Sequence, residues 1–94
     1  MKEIKKKKLA ILVSGSGTNL QAIIDAIKNG ELEDTEISIV ISNKKDAFAL
    51  ERARKEGINN LFTNPKDFAN KTEFDKNLIE IISNYKVDLI ILSG

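Results

Sequence analysis

Leu9-Ala10-Ile11-Leu12-Val13-Ser14-Gly15-Ser16-Gly17-Thr18-Asn19-Leu20-Gln21 is the stretch that decides the fold. Its five leading apolar residues run without a break and stop at a Ser-Gly-Ser-Gly turn. Such a short run reads as a strand buried on both faces, the mark of a parallel sheet. Beyond the turn, Leu20, Ile23, Ile24 and Ile27 recur at i, i+3, i+4 and i+7, which is one face of a helix. Thr18 stands three residues before Gln21, the spacing of a capping box, and this predicts a helix start near Thr18. Asn29-Gly30 predicts its end.

The same unit recurs on the C-terminal side. Ile37-Ser38-Ile39-Val40-Ile41 is a second strand, and Ser42-Asn43-Lys44-Lys45-Asp46 a loop with Asp46 as expected N-cap. Ala47, Leu50 and Ala53 then share a helical face, and Gly57 ends that helix. Leu61-Phe62 is a short third strand, and Asn64-Pro65 breaks the chain. Thr72 is expected to cap a third helix with the stripe Phe74, Leu78, Ile81, Ile82 and Tyr85. Val87-Asp88-Leu89-Ile90-Ile91-Leu92 is a fourth strand. The order β-α-β-α-β-α-β predicts an α/β fold, a Rossmann-like parallel sheet with right-handed crossovers and strand order 3-2-1-4. In that order the fourth strand borders the first and lacks a fifth beside it, an edge native proteins rarely leave bare. Either the chain is a fragment or another chain covers that edge, and both can hold.

With 94 residues, the chain is long enough for one domain, divided as a basic leader over 1–8 and a folded part over 9–94. Apolar residues make up 41% and charged residues 31%, ordinary for a globular protein. Lys+Arg is 15 and Asp+Glu 14, a near-balance that hides an asymmetry, because Lys2 and Lys5–Lys8 face only Glu3 in the leader. The leader reads as a solvated entry to the first strand. It lacks the interleaved aromatics of a nucleic-acid arm, so no nucleic-acid partner is expected. No apolar run approaches the roughly 20 residues of a membrane span, and Leu9–Val13 falls short of a signal-peptide core. Cys is 0 and His is 0, which removes disulfides, thiolate sites, imidazole bases and histidine metal ligands; no metal is expected. The expected setting is the cytoplasm.

The chemistry sits in Ser14-Gly15-Ser16-Gly17-Thr18-Asn19-Leu20-Gln21, which joins the C-terminal end of strand one to the start of helix one. Open α/β sheets bind ligands at this rim, near the point where strand order reverses. A helix N-terminus offers amide hydrogens and about half a unit of positive charge. Gly15 and Gly17 let the backbone turn tightly and an anion approach, while Ser16, Thr18 and Asn19 can add hydrogen bonds. The expectation is a phosphate cradle built from Gly15, Ser16, Gly17, Thr18 and Asn19. A dinucleotide fingerprint would place Gly or Ala where Leu20 stands and an acid at the end of strand two, where Ser42 and Asn43 are found. No Gly-Lys-Ser/Thr follows the loop, which excludes an ATPase phosphate loop.

Leu12-Val13-Ser14-Gly15-Ser16-Gly17-Thr18-Asn19-Leu20-Gln21-Ala22-Ile23 closely resembles the opening of the phosphoribosylglycinamide formyltransferase family. The likeness continues through Ile41–Ala53 and through Tyr85–Gly94, and so covers nearly all of the chain beyond the leader. It implies half of a formyltransferase fold, with the loop equivalent to Gly17-Thr18-Asn19 holding the phosphate of glycinamide ribonucleotide. It implies formyl transfer from 10-formyltetrahydrofolate to the glycinamide amine, with an Asn, a His and an Asp handling the formyl group and the proton. In the family these three and the folate loop belong to the part that follows the segment matched here. No catalytic residue is therefore expected in this chain, and the chain alone is expected to be inactive. Expected partners are glycinamide ribonucleotide or another ribose phosphate, and through Val87–Leu92 a second copy or a separate C-terminal half. A non-catalytic assembly module and a stand-alone mononucleotide binder are the rival readings.

Other polar residues carry less. Ser42 and Asn43 serve the loop, or touch the ribonucleotide or support the first loop. Asp88 reads as structural, Glu51 and Lys55 as a solvated i,i+4 pair, and Phe74 and Tyr85 as core.

Overall fold

Leu9–Val13 is apolar at every position because helices cover both faces of the strand it forms. A computed structural model of the protein describes residues 6–15, 17–32 and 34–93. Along these run β1 (Lys7–Val13), α1 (Thr18–Lys28), β2 (Thr35–Ser42), α2 (Phe48–Lys55), β3 (Asn60–Phe62), a 3₁₀ turn (Pro65–Asp67), α3 (Lys71–Ser83) and β4 (Leu89–Ser93). Among the described residues the strands form one sheet in the predicted order β3-β2-β1-β4, every pair parallel. Ile11 and Val13 point into a cluster with Leu20 and Ile24 of α1 and Ala49, Leu50 and Ala53 of α2. Ala10, with Leu12 beside it, points the other way, toward Ile82, Leu78 and Ile81 of α3.

β2 breaks strict alternation. The register passes from Leu9↔Ile37 to Ala10↔Ile39, so Ser38 is an extra residue on β2. Ile37 therefore packs on the α1–α2 side with Val40, while Ile39 and Ile41 turn to α3. The Asn59 amide donates to the Ser38 carbonyl at 3.1 Å, serving the backbone where the ladder slips.

α1 starts at Thr18, as the spacing predicts, and the other two helix caps shift. Gly17 is the N-cap of α1, and the Gln21 side chain, expected to reach back to the helix start, donates forward to Asp25 at 2.9 Å. Ala47, not Asp46, is the N-cap of α2. Asn70, not Thr72, caps α3, its side chain accepting from the Glu73 N–H at 3.0 Å. The α2 stop is as predicted. Gly57 sits at φ +70, its N–H reaches the Arg54 carbonyl, and the Ile58 N–H reaches the Ala53 carbonyl.

β4 begins later than predicted, at Leu89, because Asp88 is spent on the strand entrance. Its N–H donates to the Lys8 carbonyl and its carboxylate accepts the Lys8 N–H at 2.9 Å. Asp88 is thus structural, at the sheet end opposite the first loop. β4 is an edge of the described sheet, with Leu89 50%, Ile90 47% and Leu92 78% exposed.

Candidate functional site

α1 and α2 pack on one face of the sheet and α3 on the other, so the crossovers change side after β3. The rim at the C-terminal ends of β1 and β4 is therefore the reversal point, where ligands of this fold class bind. The loop after β1 lies at that rim. Ser14 and Gly15 are half-buried, Gly17 is buried, and Thr18 and Asn19 are exposed; Ser16 lies outside the described residues. The first intrahelical bond of α1 runs from the Gln21 N–H to the Gly17 carbonyl at 2.9 Å. The amides of Thr18, Asn19 and Leu20 come before it, in the turn that ends the helix dipole. Leu20 is fully buried and clamps this turn to the sheet.

Gly17 earns its place on two counts. Its φ is +81, a region costly to side chains, and a Cβ there would stand 2.7 Å from both Cα and Cβ of Ala49. The missing side chain thus faces the first turn of α2. At Gly17 the close approach is that of a neighbouring helix.

The β2–α2 loop forms the facing wall. Ser42 is fully buried; its Oγ accepts the Lys44 N–H at 3.1 Å and its carbonyl accepts the Thr63 N–H at 2.9 Å. Its part is to fix the loop. Asn43 is exposed and lines a cleft of about 260 Å³ with Ser14, Thr63 and Ser93 among apolar residues. A second groove, of about 550 Å³, separates Ser14 and Gly15 from Lys44, Lys45, Asp46 and Phe48. Asp46, expected as a cap, is one of its exposed walls.

Behind the groove, the Arg52 guanidinium lies 4.9 Å from the centre of the exposed Phe48 ring and donates to Gln21 Oε1 at 3.1 Å. Gln21 ties on to Asp25, so α1 and α2 are linked one turn behind the loop. The sequence reading passed over Lys44, Lys45, Phe48 and Arg52; the signal was a lysine pair in the loop at the binding rim and an i,i+4 aromatic–arginine pair behind it. Glu51 pairs with Arg54 at 2.7 Å rather than with Lys55. Tyr85 packs on the α3-side cluster as expected of a core residue, whereas Phe74 is half-buried outside both clusters, meeting Phe68 edge-on at 5.6 Å and lining the cleft of about 260 Å³.

The sequence pattern of the formyl transferase family matches residues 7–94. The chain belongs to that family. This formyl transferase chain is 44% identical over 88 residues to phosphoribosylglycinamide formyltransferase of Haemophilus influenzae, covering 94% of the chain and 41% of the relative. It is 40% identical over 91 residues to the trifunctional purine biosynthetic protein adenosine-3 of Drosophila melanogaster, covering 96% of the chain and 7% of that protein. Among solved structures it superposes on glycinamide ribonucleotide transformylase 1 of Symbiobacterium toebii with a TM-score of 0.90 and 42% identity, over 95% of the chain and 42% of that one. The formyl transferase chain thus spans about two-fifths of the length of this bacterial relative. Among its described residues no helix is long and apolar enough to cross a membrane.

Proposed function

We propose that the chain is the substrate-phosphate-binding part of a phosphoribosylglycinamide formyltransferase of purine biosynthesis. The observation that carries this reading is the seat of the first loop, an α1 N-terminus at the reversal point with Thr18 and Asn19 exposed. Gly15, Ser16, Gly17, Thr18 and Asn19 cradle the phosphate of glycinamide ribonucleotide, chiefly through backbone amides. In the reaction the glycinamide amine attacks the formyl carbon of 10-formyltetrahydrofolate, the bond from that carbon to the folate nitrogen breaks, and the proton lost by the amine ends on that nitrogen. We assign the folate site and the proton-handling residues to sequence beyond these 94 residues, because His is 0 here and the matched relatives are more than twice as long. The chain alone holds the phosphate end of the acceptor and transfers nothing. Its cysteine-free composition suits a cytoplasmic setting. Calorimetry with glycinamide ribonucleotide is expected to give saturable binding, and a formyl-transfer assay of the chain alone to give no turnover. No saturable heat at millimolar ligand would overturn the binding assignment.

The exposed Leu89, Ile90 and Leu92 favour a second reading, an assembly module that pairs through β4. Its partner is a second copy or a separate chain carrying the rest of the enzyme. Sedimentation across a concentration series checks self-pairing, and a strictly monomeric chain whose β4 amides resist hydrogen exchange speaks against the module.

A further inference from the structure

Asn29-Gly30 closes α1 at the end away from the first loop, and no other asparagine of the chain precedes a glycine. Asn29 is the C-cap, and Gly30 follows it at φ +82. The Gly30 N–H reaches the Ile27 carbonyl at 3.3 Å and the Glu31 N–H reaches the Ala26 carbonyl at 2.9 Å. This is a Schellman close, whose left-handed residue is best a glycine. The same requirement puts beside Asn29 a residue with no side chain to screen its backbone nitrogen. Asn29, Gly30, Glu31 and Leu32 are all exposed, and among the described residues the Asn29 carboxamide enters no hydrogen bond. The Gly30 bond is the longest of the turn, against 2.9 Å for the Asn29 N–H and 3.2 Å for that of Leu32.

We propose that Asn29 is a site of spontaneous chemical modification, converting to aspartate and isoaspartate through attack by the Gly30 nitrogen. That nitrogen bonds to Asn29 Cγ and closes a cyclic imide. The bond from Cγ to the carboxamide nitrogen breaks, and ammonia leaves with the proton that Gly30 gives up. Water then opens the ring at either carbonyl. The closed turn restrains the first step, because it engages the Gly30 N–H and holds Asn29 helical at φ −82 and ψ 0. The reaction runs when the turn opens, and openings at exposed helix ends are among the least costly in a fold. Either product sets a carboxylate at the negative end of the helix dipole. Isoaspartate also lengthens the main chain by a methylene, which draws the Glu31 and Leu32 N–H groups off the Ala26 carbonyl they share. The pair that stops the helix is thus the pair that undoes the stop.

The test is to hold the chain in mildly alkaline buffer, folded and in urea, and to follow each asparagine by chromatography and mass spectrometry of proteolytic peptides. The expected result is conversion of Asn29 to both acids ahead of Asn59 and Asn84, with a rate several-fold higher in urea. Asn29→Gln, whose longer side chain cannot close the same ring, should lose the conversion and keep the fold. Asn29→Asp, which presents one product from the start, should speed amide exchange at Glu31 and Leu32 while Leu20 and Ile24 stay as they were. Conversion of Asn29 in the folded chain no faster than that of Asn59 and Asn84 overturns the proposal. So does an intact Asn29 over a period in which the urea-unfolded chain converts, since the turn then stays shut. Equal rates with and without urea overturn the restraint assigned to the turn, and unchanged exchange in Asn29→Asp overturns the weakened helix end.

Discussion

A methyl group on Gly17 would have to share space with Ala49 at 2.7 Å and hold a φ of +81. Gly57 also has a positive φ, +70, but a Cβ there meets nothing within 4 Å. The two positions separate backbone strain from crowding. Gly57→Ala is expected to cost about 1 kcal/mol, the strain alone. Gly17→Ala should cost about 3 kcal/mol, because overpacking against α2 adds to the strain. Urea unfolding of the two variants checks this, and equal losses would show that Ala49 yields freely. It follows that Gly17→Val is a poor probe of phosphate binding, since it damages the fold first. The need for glycine here was legible in Gly15-Ser16-Gly17. Its second cause was not, because Ala49 lies some thirty residues away and nothing local announces the contact.

The elements themselves were legible, because periodicity is local. β1, β2 and all three helices appear where the apolar spacing puts them. Their ends and faces were less so. Ile37-Ser38-Ile39 alternates like a one-faced strand, yet Ser38 is an extra residue against β1 and sends Ile37 to the other helix layer. That slip depends on the partner strand, which no local pattern contains. For α3, Asn70 and Thr72 both satisfy the capping rule. Asn70 takes the cap, its side chain accepting from the Glu73 N–H, while Phe68 just before it packs edge-on against Phe74 at 5.6 Å. Asn70→Ala is expected to cost about 1 kcal/mol in a denaturation experiment, and Thr72→Ala, on the exposed first turn, only a few tenths. Equal costs would move the cap back to Thr72.

At the scale of the whole fold, the sheet formed by the described residues has two unlike edges. β3, at one edge, is three residues long, which limits what can pair with it. β4, at the other, is five residues long and leaves Leu92 78% exposed. Substituting Leu92→Lys should change stability by no more than about 0.5 kcal/mol, because the side chain is scarcely packed. On the assembly reading it should also shift sedimentation toward the monomer. Unchanged self-association in this variant would place the contact elsewhere. The parallel sheet followed from the β-α alternation, and the order 3-2-1-4 from the doubly wound class to which that alternation points. The groove between the first two loops did not, because it forms only when β1 and β2 lie side by side.

The meeting of Gly17 with Ala49 also bears on motion. With no gap between them, neither segment can slide without pushing the other, so the two rim loops behave as a single mechanical part. A ligand held by either should slow amide exchange at Leu20, Ile24, Leu50 and Ala53 in concert, instead of quieting one loop alone.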